Sequence, residues 1–298
     1  MVTLILFVLI FGVVVVAHEF GHFLLAKANG IHVIEFSVGM GPNLFSFQKG
    51  DTKYSLKLLP IGGACMFEGE DGLNEKEDGE DHSGSFLNAN VWARISTVLA
   101  GPVFNFILGF VIAFIMVNLI TTIRDPVATE IVDGGAAQEA GLQAGDRILS
   151  LNGSKIHLYE EIQLFTLTYR GGDVAVQYER DGVKGTTTLT PKYDESTGRY
   201  MIGISNADFV QLSGLDCFRY SWYEMRYCVT MTWKSLAMLV QGQVSRQDVA
   251  GPVGIAVNVV GKTYETTKDY GWQNVLVSML NITLMLTVNL GILNLLPV

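Results

Sequence analysis

The sequence predicts a multi-pass α-helical membrane protein with a re-entrant β-rich segment and a small β-rich domain inserted between its helices. Three observations carry that expectation. Apolar runs long enough to cross roughly 30 Å of hydrocarbon recur along the chain; the stretch after the first of them alternates as strands do; and the middle of the chain has the charges and turn residues of a water-facing domain. Of its 298 residues 49% are hydrophobic and 16% charged, at a mean hydropathy of +0.32, and the two kinds are sharply segregated along the chain. The expected order is a membrane core over residues 1–124, the inserted domain over 125–205, and a returning membrane segment over 206–298.

The first element is an apolar helix. Met1 to Ala17 carries no charge and runs directly into His18-Glu19-Phe20-Gly21-His22, an H-E-x-x-H motif. On a helix, residues four apart share a face, so His18 and His22 can present two imidazole nitrogens to one zinc ion. Zinc lowers the pKa of a bound water to roughly 7, and Glu19 is placed to take its proton. That is the metalloprotease reading of the motif. Three ionisable groups in an apolar span cost several kcal/mol, and such groups are seldom retained there without a task. A secretory signal peptide is the other reading of the run, but no basic residue precedes it and no cleavage site follows it.

Between this helix and the next, Glu35 to Phe67 mixes β-prone residues with glycine punctuation, and the alternation around Tyr54 to Leu58 predicts strands and hairpins. Non-helical backbone can lie at membrane depth only where protein or water satisfies it. A re-entrant sheet beside the metal would meet that condition and offer an edge to an extended substrate; an ordinary hairpin outside the membrane is the alternative. Most of the net charge of −9 comes from Glu68, Glu70, Asp71, Glu75, Glu77, Asp78, Glu80 and Asp81, read as one solvated loop. Without a basic patch, nucleic acid is not an expected partner. The three cysteines, Cys65, Cys217 and Cys228, form neither a paired framework nor a C-x-x-C site.

Val98 to Ile120 is the second expected span and Val275 to Val298 the third. Met225 to Val240 contains Lys234 and is flanked by Arg226 and Arg246, so it is expected to be an interfacial or partly buried helix. From Pro126 to about Ser205, strand-like runs at Val174–Tyr178 and Thr186–Thr190 alternate with turns at Gly134-Gly135, Gly171-Gly172 and Asp181-Gly182. Lys27 follows the first span and no cation precedes it, which places the N-terminus outside and the motif towards the cytoplasm.

The stretch Ala137 to Gly153, with Gly141-Leu142, Gly145-Asp146-Arg147-Ile148 and Asn152-Gly153, resembles the PDZ domains associated with bacterial proteases. Such domains bind extended peptides by strand addition; here a filter against bulky substrates is an equal alternative. Further blocks follow in order: Glu35 to Pro42, Leu59-Pro60-Ile61-Gly62-Gly63, Gly69-Glu70-Asp71, Leu99 to Phe106, Gly251 to Ala256, and Asn289 to Pro297. With the zinc motif they make the chain resemble, over nearly its whole length, the bacterial site-2 proteases of the RseP/RasP type, intramembrane zinc metalloproteases with one PDZ domain.

The resemblance implies a Zn2+ cofactor held by His18 and His22, Glu19 as catalytic base, substrate contacts from the strand segment at Gly62 and Gly63, and roles for Asn289 and Asn294 in holding the substrate backbone or its oxyanion. The implied activity is regulated intramembrane proteolysis of single-span transmembrane proteins, anti-sigma factors or remnant signal peptides. The implied location is the inner (plasma) membrane, in contact with lipid, with the PDZ domain outside the cytoplasm and able to take a peptide ligand. The family's third ligand is an aspartate of an L-D-G motif past the final proline, beyond Val298, so the sequence is expected to be a fragment whose own activity is in doubt. Ala64-Cys65 also departs from the family, which usually has a tyrosine there. A non-enzymatic membrane-tethered PDZ adaptor with a vestigial motif is the competing class, and a metal transporter a third.

Overall fold

The computed structural model describes residues 2–70, 84–243 and 251–296. The acidic residues from Asp71 to Asp81, Arg246, Pro297 and Val298 lie outside this set.

The first 27-residue helix, α1 (Val2–Ala28), ends where Gly30 takes φ +73°. Ile31 N–H donates to the Ala26 carbonyl and Gly30 N–H to that of Lys27, a Schellman closure that only a residue free to adopt positive φ forms without strain. Ile31 then packs with Ala26, Val33 and Phe67, which fixes the angle at which the chain turns into strand.

Strands β1 (Val33–Lys49) and β2 (Thr52–Phe67) pair with each other three times, the second half of β1 with the first half of β2 and the first half of β1 with both halves of β2. Glu35 faces both Met66 and Lys53, and Val38 faces both Gly63 and Leu56, so the first half of β1 lies between the two halves of β2. The run from Ile61 to Phe67 is therefore an outer run of the sheet. Phe23 of α1 stacks edge-on against Phe36 and Tyr54, holding the sheet against the helix just past the zinc motif.

The 30-residue α2 (Val91–Ile120) starts earlier than its apolar run, since Arg94 and Ser96 continue the helix beyond the hydrocarbon-compatible stretch. After residue 250 come a single turn, α6 (Pro252–Gly254), a π-helical turn over Ile255–Gly261, α7 (Lys262–Thr267) and α8 (Trp272–Leu293). The helices α1, α2 and α8 are long and apolar enough to cross a membrane; at 1.5 Å per residue they measure about 40, 45 and 33 Å. They carry leucine, isoleucine and valine outward, as with Leu4, Leu9, Val103, Ile107 and Leu276, which suits lipid rather than water.

The chain divides into two compact units, residues 1–116 with 239–298, and residues 117–238. In the second, β3 (Thr122–Ile131), β4 (Arg147–Leu151), β5 (Ser154–Lys155), β6 (Val174–Arg180), β7 (Val183–Leu189) and β10 (Ile204–Gln211) form one sheet of order β10-β3-β4-β6-β7, with β5 on β4. A small ribbon, β8 (Lys192–Asp194) with β9 (Arg199–Met201), stands apart from it. The short α3 (Ala136–Glu139) and the helix α4 (Tyr159–Thr168) close its core around Ile148, Leu151, Ile162, Val174 and Val176. Asp181 and Gly182 both adopt positive φ at the two-residue turn between β6 and β7, the twist-matched geometry such hairpins require.

The amphipathic α5 (Leu215–Val240) packs Cys217 and Tyr220 against Leu158 and Leu212, and leaves Leu215, Phe218, Trp222 and Trp233 exposed. It is not among the helices long and apolar enough to cross a membrane. Three buried acids in this unit meet an arginine: Asp125 with Arg147, Asp146 with Arg180 at 2.7 Å, and Glu161 with Arg226. Burial alone would raise the pKa of Asp146, but hydrogen bonds from Arg180 and from Gln143 N–H outweigh it and hold the carboxyl below the usual carboxylate range.

Candidate active site

One turn of α1 places His18 above His22, and their Nε2 atoms lie 3.2 Å apart with the rings nearly perpendicular. Two nitrogens bound to one tetrahedral zinc at 2.0–2.1 Å would stand roughly 3.3 Å apart. The pair is thus already at ligating separation. Nδ1 of His22 is 2.8 Å from the Thr97 carbonyl, an acceptor only, so that nitrogen carries the proton and Nε2 presents its lone pair. Donor type, separation and tautomer fit a zinc ion. Among the described residues no group of three or more His, Cys, Asp and Glu side chains stands together as a metal site, so the pair offers two donors.

The helix α2 supplies the back wall. A Cβ on Gly101 would lie 2.3 Å from His22 Nε2 and 2.7 Å from His18 Cε1, so the absence of a side chain there is what admits both rings. Gly21 plays the same part from the other side, since a Cβ on it would meet the Ala100 carbonyl oxygen at 2.5 Å. The two helices touch through these glycines, and Phe20 on Phe104 closes the contact edge to face. Pro102 removes an N–H from the middle of α2 and loosens the turn before it.

Glu19 faces away from the wall, towards β2. A Cβ on Gly63 would sit 3.0 Å from Glu19 Cγ, and equally close to the Ser37 carbonyl and Val15 Cγ1, so the strand backbone lies directly against the carboxylate side chain. No cation forms an ion pair with Glu19 among the described residues. Gly62, at φ +88°, abuts Met40 rather than Glu19.

Asn294, the C-cap of α8, brings Nδ2 to 3.4 Å from His18 Nε2, at the open side of the histidine pair. Asn289 lies half-buried five residues earlier in α8, about 140° around the helix axis, so the two amides do not share a face. Two contributors are assigned no role from the sequence: the Thr97 carbonyl, a backbone atom, and Asn105, fully buried, whose amide is 3.0 Å from His18 Nδ1.

Apolar membrane-length helices around an H-E-x-x-H pair define a membrane-embedded metallohydrolase. The sequence pattern of Peptidase family M50 matches residues 6–298, and the chain belongs to that family. The zinc metalloprotease RasP of Bacillus licheniformis is 31% identical over 99% of this chain and 87% of its own. RasP of Geobacillus kaustophilus is 29% identical over 99% and 86%. A Clostridium acetobutylicum protein provisionally named as a zinc metalloprotease is 33% identical over 98% and 81%. The protein is a zinc-dependent protease of the site-2 type.

Proposed function

We propose that the protein cleaves single-span transmembrane proteins within the bilayer, with Glu19 as the base and His18 and His22 as zinc ligands. The observation that carries this reading is the juxtaposition at Gly63, where an outer strand run passes against the one carboxylate beside two zinc-ready imidazoles. A substrate segment added to the Ile61–Phe67 run would have its backbone held extended, along a strand whose Gly63 lies against Glu19 and whose Gly62 lies against Met40. Zinc bound there would supply a Lewis acid able to make water acidic near neutral pH.

Glu19 accepts the proton of the attacking water and returns it to the leaving amine. The Asn294 amide, 3.4 Å from His18 Nε2, donates towards the developing oxyanion, a contribution of roughly 3 kcal/mol for a well-aimed donor. Asn289 holds substrate backbone further along the same helix. The apolar faces of α1, α2 and α8 set the reaction in lipid and support a multi-pass arrangement. The second compact unit is a PDZ domain outside the cytoplasm, taking a peptide or excluding bulky proteins; its edge strand β10 and the Asn152-Gly153 turn support that reading. Anti-sigma factors and remnant signal peptides, trimmed first by another protease, are the substrate classes in this reading.

Zinc stoichiometry and cleavage of a single-span substrate by the full-length protein, with Glu19→Gln as control, test the proposal together. One zinc and cleavage lost only in Glu19→Gln is the expected result; full activity in that variant would remove Glu19 as the base, and a zinc-free, inactive protein would favour the membrane-tethered adaptor.

A further inference from the structure

We infer that Asn105 is a positioning residue, whose side-chain oxygen accepts the Nδ1–H of His18 and thereby turns the Nε2 lone pair of that ring towards the zinc. The inference rests on the assignment of His18 and His22 as ligands. Asn105 is fully buried in an apolar helix, where an amide with no task is costly. Its side chain meets His18 Nδ1 at 3.0 Å, while its Oδ1 is buried without a hydrogen-bond partner.

The two ends of an amide have the same shape, so hydrogen-bond logic decides which one faces the ring. Were the nitrogen to donate to Nδ1, the ring proton would sit on Nε2, aimed at His22 Nε2 3.2 Å away and at the point the metal must occupy. Ligation and that tautomer exclude each other. With the oxygen towards Nδ1 the proton is drawn to the far side of the ring and Nε2 is free to ligate, and the turn forfeits no bond because Oδ1 has none to lose.

The same solution is visible at the other ligand, where the Thr97 carbonyl fixes Nδ1 of His22. Thr97, Gly101 and Asn105 recur at intervals of four, one stripe of α2 in which the outer two members each orient one histidine and the middle one makes room for both. Thr287 of α8, itself fully buried, donates its hydroxyl to the Asn105 carbonyl at 3.1 Å, so the helix that carries Asn294 is pinned to the same turn. Outer partners of this kind set ligand orientation and basicity, and their loss typically weakens metal binding 10- to 100-fold.

The test measures zinc affinity by chelator competition, and the visible spectrum of the Co2+ form, in the full-length protein carrying Asn105→Leu, Asn105→Asp or His22→Ala. Asn105→Leu should bind zinc about 10- to 100-fold more weakly and shift the cobalt bands. Asn105→Asp, which can only accept, should bind at least as tightly as the native residue. Native affinity and spectrum in Asn105→Leu would overturn the inference. So would an Asn105→Asp protein that binds as weakly as the leucine variant, since that pattern marks the amide as a donor; this arm decides alone if the leucine variant does not fold. Native zinc affinity in His22→Ala would instead overturn the ligand assignment itself, and the inference with it.

Discussion

Three acids of the second compact unit and the acid of the H-E-x-x-H motif are held in opposite ways. In residues 117–238 the buried acids Asp125, Asp146 and Glu161 each face an arginine, and the core between them is made of Ile148, Leu151, Val174 and Val176. Around His18 and His22 the buried polar groups are neutral partners, Thr97, Asn105 and Thr287, and the carboxylate of Glu19 has no cation against it among the described residues. Paired charge and a closed apolar core serve stability. An acid left unpaired beside oriented imidazoles is free to accept a proton and release it.

Substitutions in each unit should therefore fail differently. The largest loss of stability should come from Ile148→Ala in the second unit. With that side chain fully buried, thermal or denaturant unfolding should show about 2–5 kcal/mol lost, with zinc affinity unaltered in the folded fraction. Gly101→Ala should do the reverse. Its methyl would collide with both imidazoles, and a ligand displaced by an ångström costs about 100-fold in rate, read as lost cleavage and weakened zinc binding; Gly109→Ala, whose nearest neighbour would be a Val288 methyl at 3.2 Å, is the matched control on the same helix.

Gly63→Ala should be milder. The added methyl presses on Glu19 Cγ and the Ser37 carbonyl at 3.0 Å, an overpacking of the order of 1–3 kcal/mol, so kcat/KM should fall about tenfold while zinc content stays native. The smallest effect concerns Glu224 on α5, whose pKa is raised to about 8 by burial first and by Glu160 and Glu161 second. The folded state then holds a proton that the unfolded chain releases near pH 4.5, so this group stabilises fully below that pH and its contribution is lost as pH rises towards 8. Thermal melts at pH 5 and pH 8 should show Glu224→Gln flattening this part of the pH slope.

Much of the site was legible in the residues because its chemistry is local. His18, Glu19 and His22 sit within five positions of one another, and helical periodicity alone places both imidazoles on one face. The alternation at Tyr54 to Leu58 and the glycines at 62 and 63 announced strands after the helix, and strands are found there. The double register of β1 was not legible, since pairing with both halves of β2 depends on how the segment folds back. Asn105 was visible as a polar residue in an apolar run, four positions after a glycine, and that spacing was the available signal. Its partner His18 is 87 positions away, so no local pattern could name the contact. Asn289 and Asn294 looked equivalent in sequence, yet helix geometry brings Asn294 to His18 and turns Asn289 to another face.

By itself the sequence determined what depends on neighbours along the chain: three apolar helices of membrane length, the two histidines and the glutamate of one helical turn, and the glycine and Asx turns of the inserted sheet. Only tertiary structure decided which backbone carbonyl orients His22, which amide reaches His18, and that β2 runs against Glu19. Hydropathy and periodicity are summed over adjacent residues, whereas a ligand's tautomer is set by a single atom brought to 3 Å from a distant helix, and that placement exists only once the helices have packed.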